Sequence, residues 1–267
     1  LANVNVMGGR NSFVGALAGN LIAVNDVDVS GKVSGGPGSS VGGIAGYAGH
    51  IFTSHTSAAV SGIGDSTPDT SFAGGLAGVA EQIQDSFSTA QVSGGVSWYI
   101  GGVAGQITAD VERSYATGTV MTGDNGVSGG LVGQQIAGQF SIGISNCYAT
   151  GFVSGGAGST VGGFVGLNDA AVRDSNSIGA VASGSGNAVG GLIGNDEGPS
   201  DLTDTYFDTE TSGQSHGVGN NTAYPGVTGL TTAQFQAGLP TGFDPSVWSE
   251  SATVNDGFPY LLTLPPR

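Results

Sequence analysis

The sequence predicts an all-β protein built as one parallel β-solenoid (β-helix) of about seven rungs of 27–33 residues with a C-terminal cap, and three observations carry that expectation. A glycine box, clearest as Val161-Gly162-Gly163-Phe164-Val165-Gly166, recurs at 14–19, 41–46, 73–78, 100–105, 128–133 and 189–194. Self-similarity at this period marks stacked units, none of which buries its apolar face alone. Each box is followed by a β-branched or leucine residue with a small residue three positions later: Val24 with Val27, Ile51 with Ser54, Ile83 with Ser86, Val111 with Ser114, Ile144 with Cys147, Val172 with Ser175 and Leu202 with Thr205. The third observation is composition. With 52 glycines and 9% charged residues, an ordinary globular core is out of reach, whereas 38% hydrophobic residues at regular positions suit burial between neighbouring repeats.

The elements follow in order. Leu1 to Val6, with Val4 and Val6 alternating with Asn, reads as the tail of an incomplete rung. In each box the fourth and fifth positions are apolar, which predicts a strand buried on both faces, with its glycines admitting close backbone approach. From each small residue a period-2 pattern runs on, as in Ser114-Tyr115-Ala116-Thr117-Gly118-Thr119-Val120, and predicts a further strand. One face of it is small and suits close packing. The other carries the column Asp28, His55, Phe87, Tyr115, Tyr148 and Asn176, whose mixed chemistry predicts a partly wet surface with aromatics stacking along the ladder. Insertions fall in turns, one with Asp65, Pro68 and Asp69 and one between Gly133 and Ile144. After Gly198 the pattern changes, dividing the chain into a solenoid over 1–198 and a terminal rung, linker and cap over 199–267. There Phe207 replaces a small residue, Gly-rich linker runs to about Gly229, Thr231 to Gly238 predicts a short capped helix, and Trp248 with 258–262 supplies covering residues. The crossover preference gives a right-handed coil, and a rung spacing of ~4.8 Å gives a stack ~30–35 Å long.

Gly-Gly-Leu-Val-Gly at 129–133 and the strands Ser114 to Gly118 and Cys147 to Gly151 resemble the GLUG repeat of secreted and surface-attached bacterial proteins. The segment Tyr206 to Gly213 is similar to the terminus that often follows such repeats, so the resemblance spans about residues 1–213. It implies company with large adhesins of the filamentous haemagglutinin type and with the non-catalytic part of some immunoglobulin A proteases. It implies no catalytic residue and no cofactor. The first repeat departs from the pattern, with Ala16 at the second glycine and Asp28 at the aromatic.

Charge and side-chain chemistry narrow the function. The formal charge of −15, with Lys32 the only lysine, opposes nucleic acid and anionic lipid. No run is apolar enough to insert in a membrane, and no basic stretch followed by an apolar one marks a leader. Cys147 sits in the small-residue column and reads as buried, and His50, His55 and His216 lack zinc-ligand spacing. Acidic turns hold Asp65 with Asp69, Asp124 with Asn125, and Asp169 with Asp174. The densest, Asp196, Glu197, Asp201 and Asp204, is the candidate calcium site.

An enzyme needs acids from several rungs converging on one column, yet the strand column offers Asp28 alone, so no catalysis is expected. The expected role is an extracellular, cell-surface or secreted structural and adhesive module. It would associate with itself or with neighbouring repeats through the open rung at residues 1–13, or bind a host or matrix glycan or protein. A carbohydrate-binding or carbohydrate-active β-helix is the alternative, with Trp98-Tyr99 placed in a turn as a sugar platform. Ice binding by hydroxyl pairs such as Thr117 with Thr119 is the second alternative.

Overall fold

The computed structural model describes every residue except 65–69, 137, 139–142, 199, 200, 222, 223 and 267. The chain winds as a parallel β-solenoid of about seven turns. Among the described residues two sheets have seven strands each and a third has sixteen, and every pairing within them is parallel between successive turns. Because each turn lies in register on the next, like residues form continuous columns. One valine column runs from Val6 through Val33, Val60, Val92, Val120 and Val153 to Val181. The first residues of the boxes do the same from Val14 to Val189. Leu1 to Val6 is the tail of a rung as expected, with Val4–Met7 pairing on Gly31–Gly35.

The glycine box is a corner between two sheets rather than one strand. In 41–46 the strand Ser40–Gly42 ends at Gly42, Gly43 and Ile44 bend, and Ala45–Phe52 opens the next sheet. The bend aims both Ile44 and Ala45 at the interior, where each is fully buried. The glycines are required by crowding. A Cβ on Gly42 would stand 2.5 Å from the Cα of Ala77 in the next turn, and one on Gly46 would stand 2.7 Å from backbone atoms of Phe13 in the turn before. The second glycine faces the small-residue column, so a Cβ on Gly102 would meet the Cβ of Ala116 at 2.5 Å. In the first turn Ala16 holds that place, and its N–H···O bond to Gly43 lengthens to 3.4 Å against 2.9 Å from Gly43 to Gly75.

The small residue after each box lies at a second corner. Its predecessor is left-handed in every turn: Asp26, Thr53, Asp85, Arg113, Asn146, Asp174 and Asp204 have φ between 43° and 58°. Asn and Asp tolerate that region best among non-glycine residues, and they supply five of the seven positions. The small side chain itself then stitches the stack. Ser86 Oγ donates to Gln84 O at 2.8 Å and accepts from Ser54 N–H at 3.1 Å, and Ser54, Ser114, Cys147 and Ser175 repeat the arrangement. Cys147 is buried there as expected, and burial pushes its thiol far above the ordinary range.

The C-terminal region differs most from expectation. Residues 216–221 and 224–230, expected as part of a Gly-rich linker, carry the stack onward. Gly217 accepts from Leu192 and Ile193 in the pattern of a box, Val218 bridges Ile193, and Val227–Leu230 pairs on Leu202–Asp208. They form a partial eighth turn that, with Phe207, closes the interior. The helix Thr232–Phe235 is capped by Thr231 in a capping box with Gln234, as the sequence predicted. Beyond it the chain turns back along the flank as a strap. Phe235, Phe243, Trp248, Phe258 and Leu261 form one buried cluster with Phe87, Tyr115, Tyr148 and Tyr206. The bulky terminal residues therefore cover a side of the solenoid, while Phe207, Val218, Tyr224 and Val227 close its end.

Candidate functional site

The column that alternates outward from the second corner is Asp28, His55, Phe87, Tyr115, Tyr148, Asn176 and Tyr206. Its aromatics stack as expected, with centroids 4.5 Å apart from His55 to Phe87, 4.8 Å to Tyr115 and 4.7 Å to Tyr148, and planes within 11°. It is not a wet face over most of its length. Tyr115 and Tyr148 are fully buried beneath the strap, with Trp248 against Tyr148 and bonded to Asn146 Oδ1 at 3.0 Å, and Asn176 beyond them is fully buried too. Burial pushes the Tyr148 phenol well above its ordinary range.

The cover stops short of the first turns. Asp28 is exposed and His55 half-buried. Asp28, His55, Phe87, Ser57, Thr89 and Thr117 line an open pocket of about 340 Å³. A second of about 440 Å³ lies across the His55 ring, between Thr53, Asp85, Arg113 and the strap residues Thr263 and Leu264. Arg113 clamps Asp85 with two bonds of 2.7 and 2.9 Å and also contacts Glu112, which raises its pKa further. Two residues along the strand stands a parallel outward column of hydroxyls: Ser57, Thr89, Thr117 and Thr150, all at least partly exposed. The groove thus has an aromatic edge, a hydroxyl edge and the exposed carboxylate of Asp28.

The proposed calcium residues are spread apart. Asp196 points inward, 9% exposed, where Asn168 Nδ2 donates to it at 2.7 Å and the Tyr224 hydroxyl at 2.5 Å. Asp201 pairs with Arg173 at the surface, which holds its carboxyl below the usual range. Glu197 is exposed, and Asp204 lies at the left-handed corner next to Asp174, a separate column. Among the described residues no group of three or more His, Cys, Asp or Glu side chains is placed to hold a metal. The Asp65 with Asp69 turn lies outside the described residues. Asp124 is engaged by the next turn, accepting from Ala157 N–H at 2.8 Å.

Sequence reasoning missed an inward polar column. Gln135, Asn168 and Asp196 stack in register where earlier turns place Ala48, Ala80 and Ile107, and all are buried. The signal was present in the positions after each box, which turn from apolar to amide and then to carboxylate. Trp98 and Tyr99 are also corrected. They open the strand Trp98–Gly101 rather than sit in a turn; Trp98 is buried with Gly62 beneath it, while Tyr99 is half-buried and packs on Phe72 with ring centroids 5.4 Å apart.

Stacked turns, an inward corner ladder and an aromatic flank define a β-solenoid repeat protein. Residues 96–121 match the GLUG motif. That span is nearly one full turn, from the strand Trp98–Gly101 through the box and both corners to Val120. No curated protein and no solved structure matches the chain. Among the described residues no helix is long and apolar enough to cross a membrane.

Proposed function

We propose that this chain is a non-catalytic structural and adhesive module of an extracellular or surface-attached protein, extended by stacking further turns on its first rung. Those turns belong either to the same polypeptide or to a second copy. One observation carries the reading: at the fourth box position Ile44, Leu76, Val103, Leu131, Phe164 and Leu192 are 0% exposed, whereas Leu17 is 44% exposed. Val24 and Leu21 are likewise only partly buried in columns that are fully buried below them. An apolar interior cross-section beside unpaired strand edges is a template for parallel addition. The acidic turns and the charge of −15 keep lateral contacts weak, which favours growth along the axis.

Sedimentation across a concentration series tests this for self-stacking. Leu17→Lys should abolish end-to-end association while leaving the far-ultraviolet spectrum unchanged. A wild-type chain that stays monomeric at millimolar concentration would refute stacking of a second copy.

A further inference from the structure

The flank groove offers a ligand chemistry that stacking of turns does not use. Each ring in the aromatic column has a neighbour on both faces until His55, where Asp28, exposed and without a ring, takes the next place and the imidazole lines the open pocket. His55 Nδ1 is buried and has no hydrogen-bond partner. Beside the imidazole, Ser57, Thr89, Thr117 and Thr150 repeat one hydroxyl per turn at ~4.8 Å along the axis. A flat apolar face next to a row of donors that are also acceptors suits a pyranose, which has an apolar C–H face and a rim of hydroxyls. In an extended chain each sugar advances about one turn of the stack. The charge balance sets the kind of sugar. Asp28 and Asp85 lie at the groove, and Arg113 is already clamped by Asp85, so an acidic glycan meets net repulsion.

We propose that this groove binds a neutral saccharide chain laid along the solenoid axis, with one residue on the His55 ring and its hydroxyls on the Thr89–Thr117 edge. The site adds a ligand to the adhesive reading and does not depend on stacking at the first rung. The two fail separately, one by titration of a monomer and the other by sedimentation.

Cellohexaose, xylohexaose and mannohexaose serve as probes, read by the three histidine ring signals in proton–carbon correlation spectra. His55 should shift on addition of at least one hexasaccharide with a dissociation constant in the roughly millimolar range, the scale of a few exposed contacts, while His50 and His216 stay fixed. Thr89→Val with Thr117→Val should weaken binding about tenfold without moving the melting temperature. The proposal is overturned if His55 does not respond to any of the three up to about 10 mM. Equal binding by the double variant, or tighter binding of polygalacturonate than of the neutral chains, overturns it too.

Discussion

Ser86 Oγ accepts from Ser54 N–H in the turn before and donates to Gln84 O within its own turn, and its neighbours in the column do the same. Ser86→Ala would leave the Ser54 N–H buried with no acceptor, at a cost of about 1–3 kcal/mol in chemical denaturation. Ser86→Cys should cost less, because Cys147 holds the equivalent place and accepts from Ser114 N–H. Asp174 shows the opposite case. Burial, and then Asp204 in the next turn, raise its pKa against a smaller opposing effect of Arg173. A carboxyl whose folded pKa is raised binds its proton more tightly when folded, so stability is greatest below its unfolded pKa and falls as pH rises through the folded value. Asp174→Asn should therefore raise the melting temperature at neutral pH, with the gain vanishing in acid; an unchanged melting temperature at pH 7 would contradict this. The sequence displayed the small residue of each corner plainly, since all seven share one spacing. It did not display the left-handed residue before it, because Thr53 and Arg113 carry no propensity for that conformation and are held there by the stack.

At the level of the element, the box works as a hinge between sheets whose glycines touch backbone of the adjoining turns. Gly42→Ala or Gly46→Ala should prevent soluble expression or cost several kcal/mol, whereas Gly9→Ala, whose Cβ would meet nothing within 4 Å, should be silent in thermal melts. The repeat made the box obvious. Its bend was hidden, because a corner and a two-sided strand place apolar residues at the same two positions. The acidic turn after the last box reads differently in space and in sequence. Four carboxylates close in sequence look like an ion cage, yet Asp196 turns inward to Asn168 and Tyr224 while Asp201 turns outward to Arg173. Millimolar calcium, compared with chelator, is therefore expected to leave the melting temperature in place; a rise of several degrees would show that the turn gathers its carboxylates around the ion.

For the whole molecule the decisive feature is the strap, which reaches across sequence separations of 102 residues from Trp248 to Asn146 and 150 from Tyr115 to Pro265. A stack of turns alone would open one turn at a time from its ends. Ties across several turns make those turns open together. Trp248→Ala should cost about 3–5 kcal/mol and speed amide exchange throughout the Tyr115–Tyr206 column while sparing the first two turns. Exchange that accelerates evenly along the stack would argue against such coupling. Composition announced covering residues here but not their direction, since a column of Phe and Tyr looks alike under solvent and under a strap. The reversal also has a mechanical consequence. Pro265 lies against Tyr115, midway back along the stack, so both Leu1 and the strap's last residues sit on the same half of the rod. A pull between those two points runs through the first turns only. The distal turns and the closing strand Val227–Leu230 stand off the line of force, and they would feel a load only after the strap had been peeled away from Tyr115, Tyr148 and Tyr206 in turn.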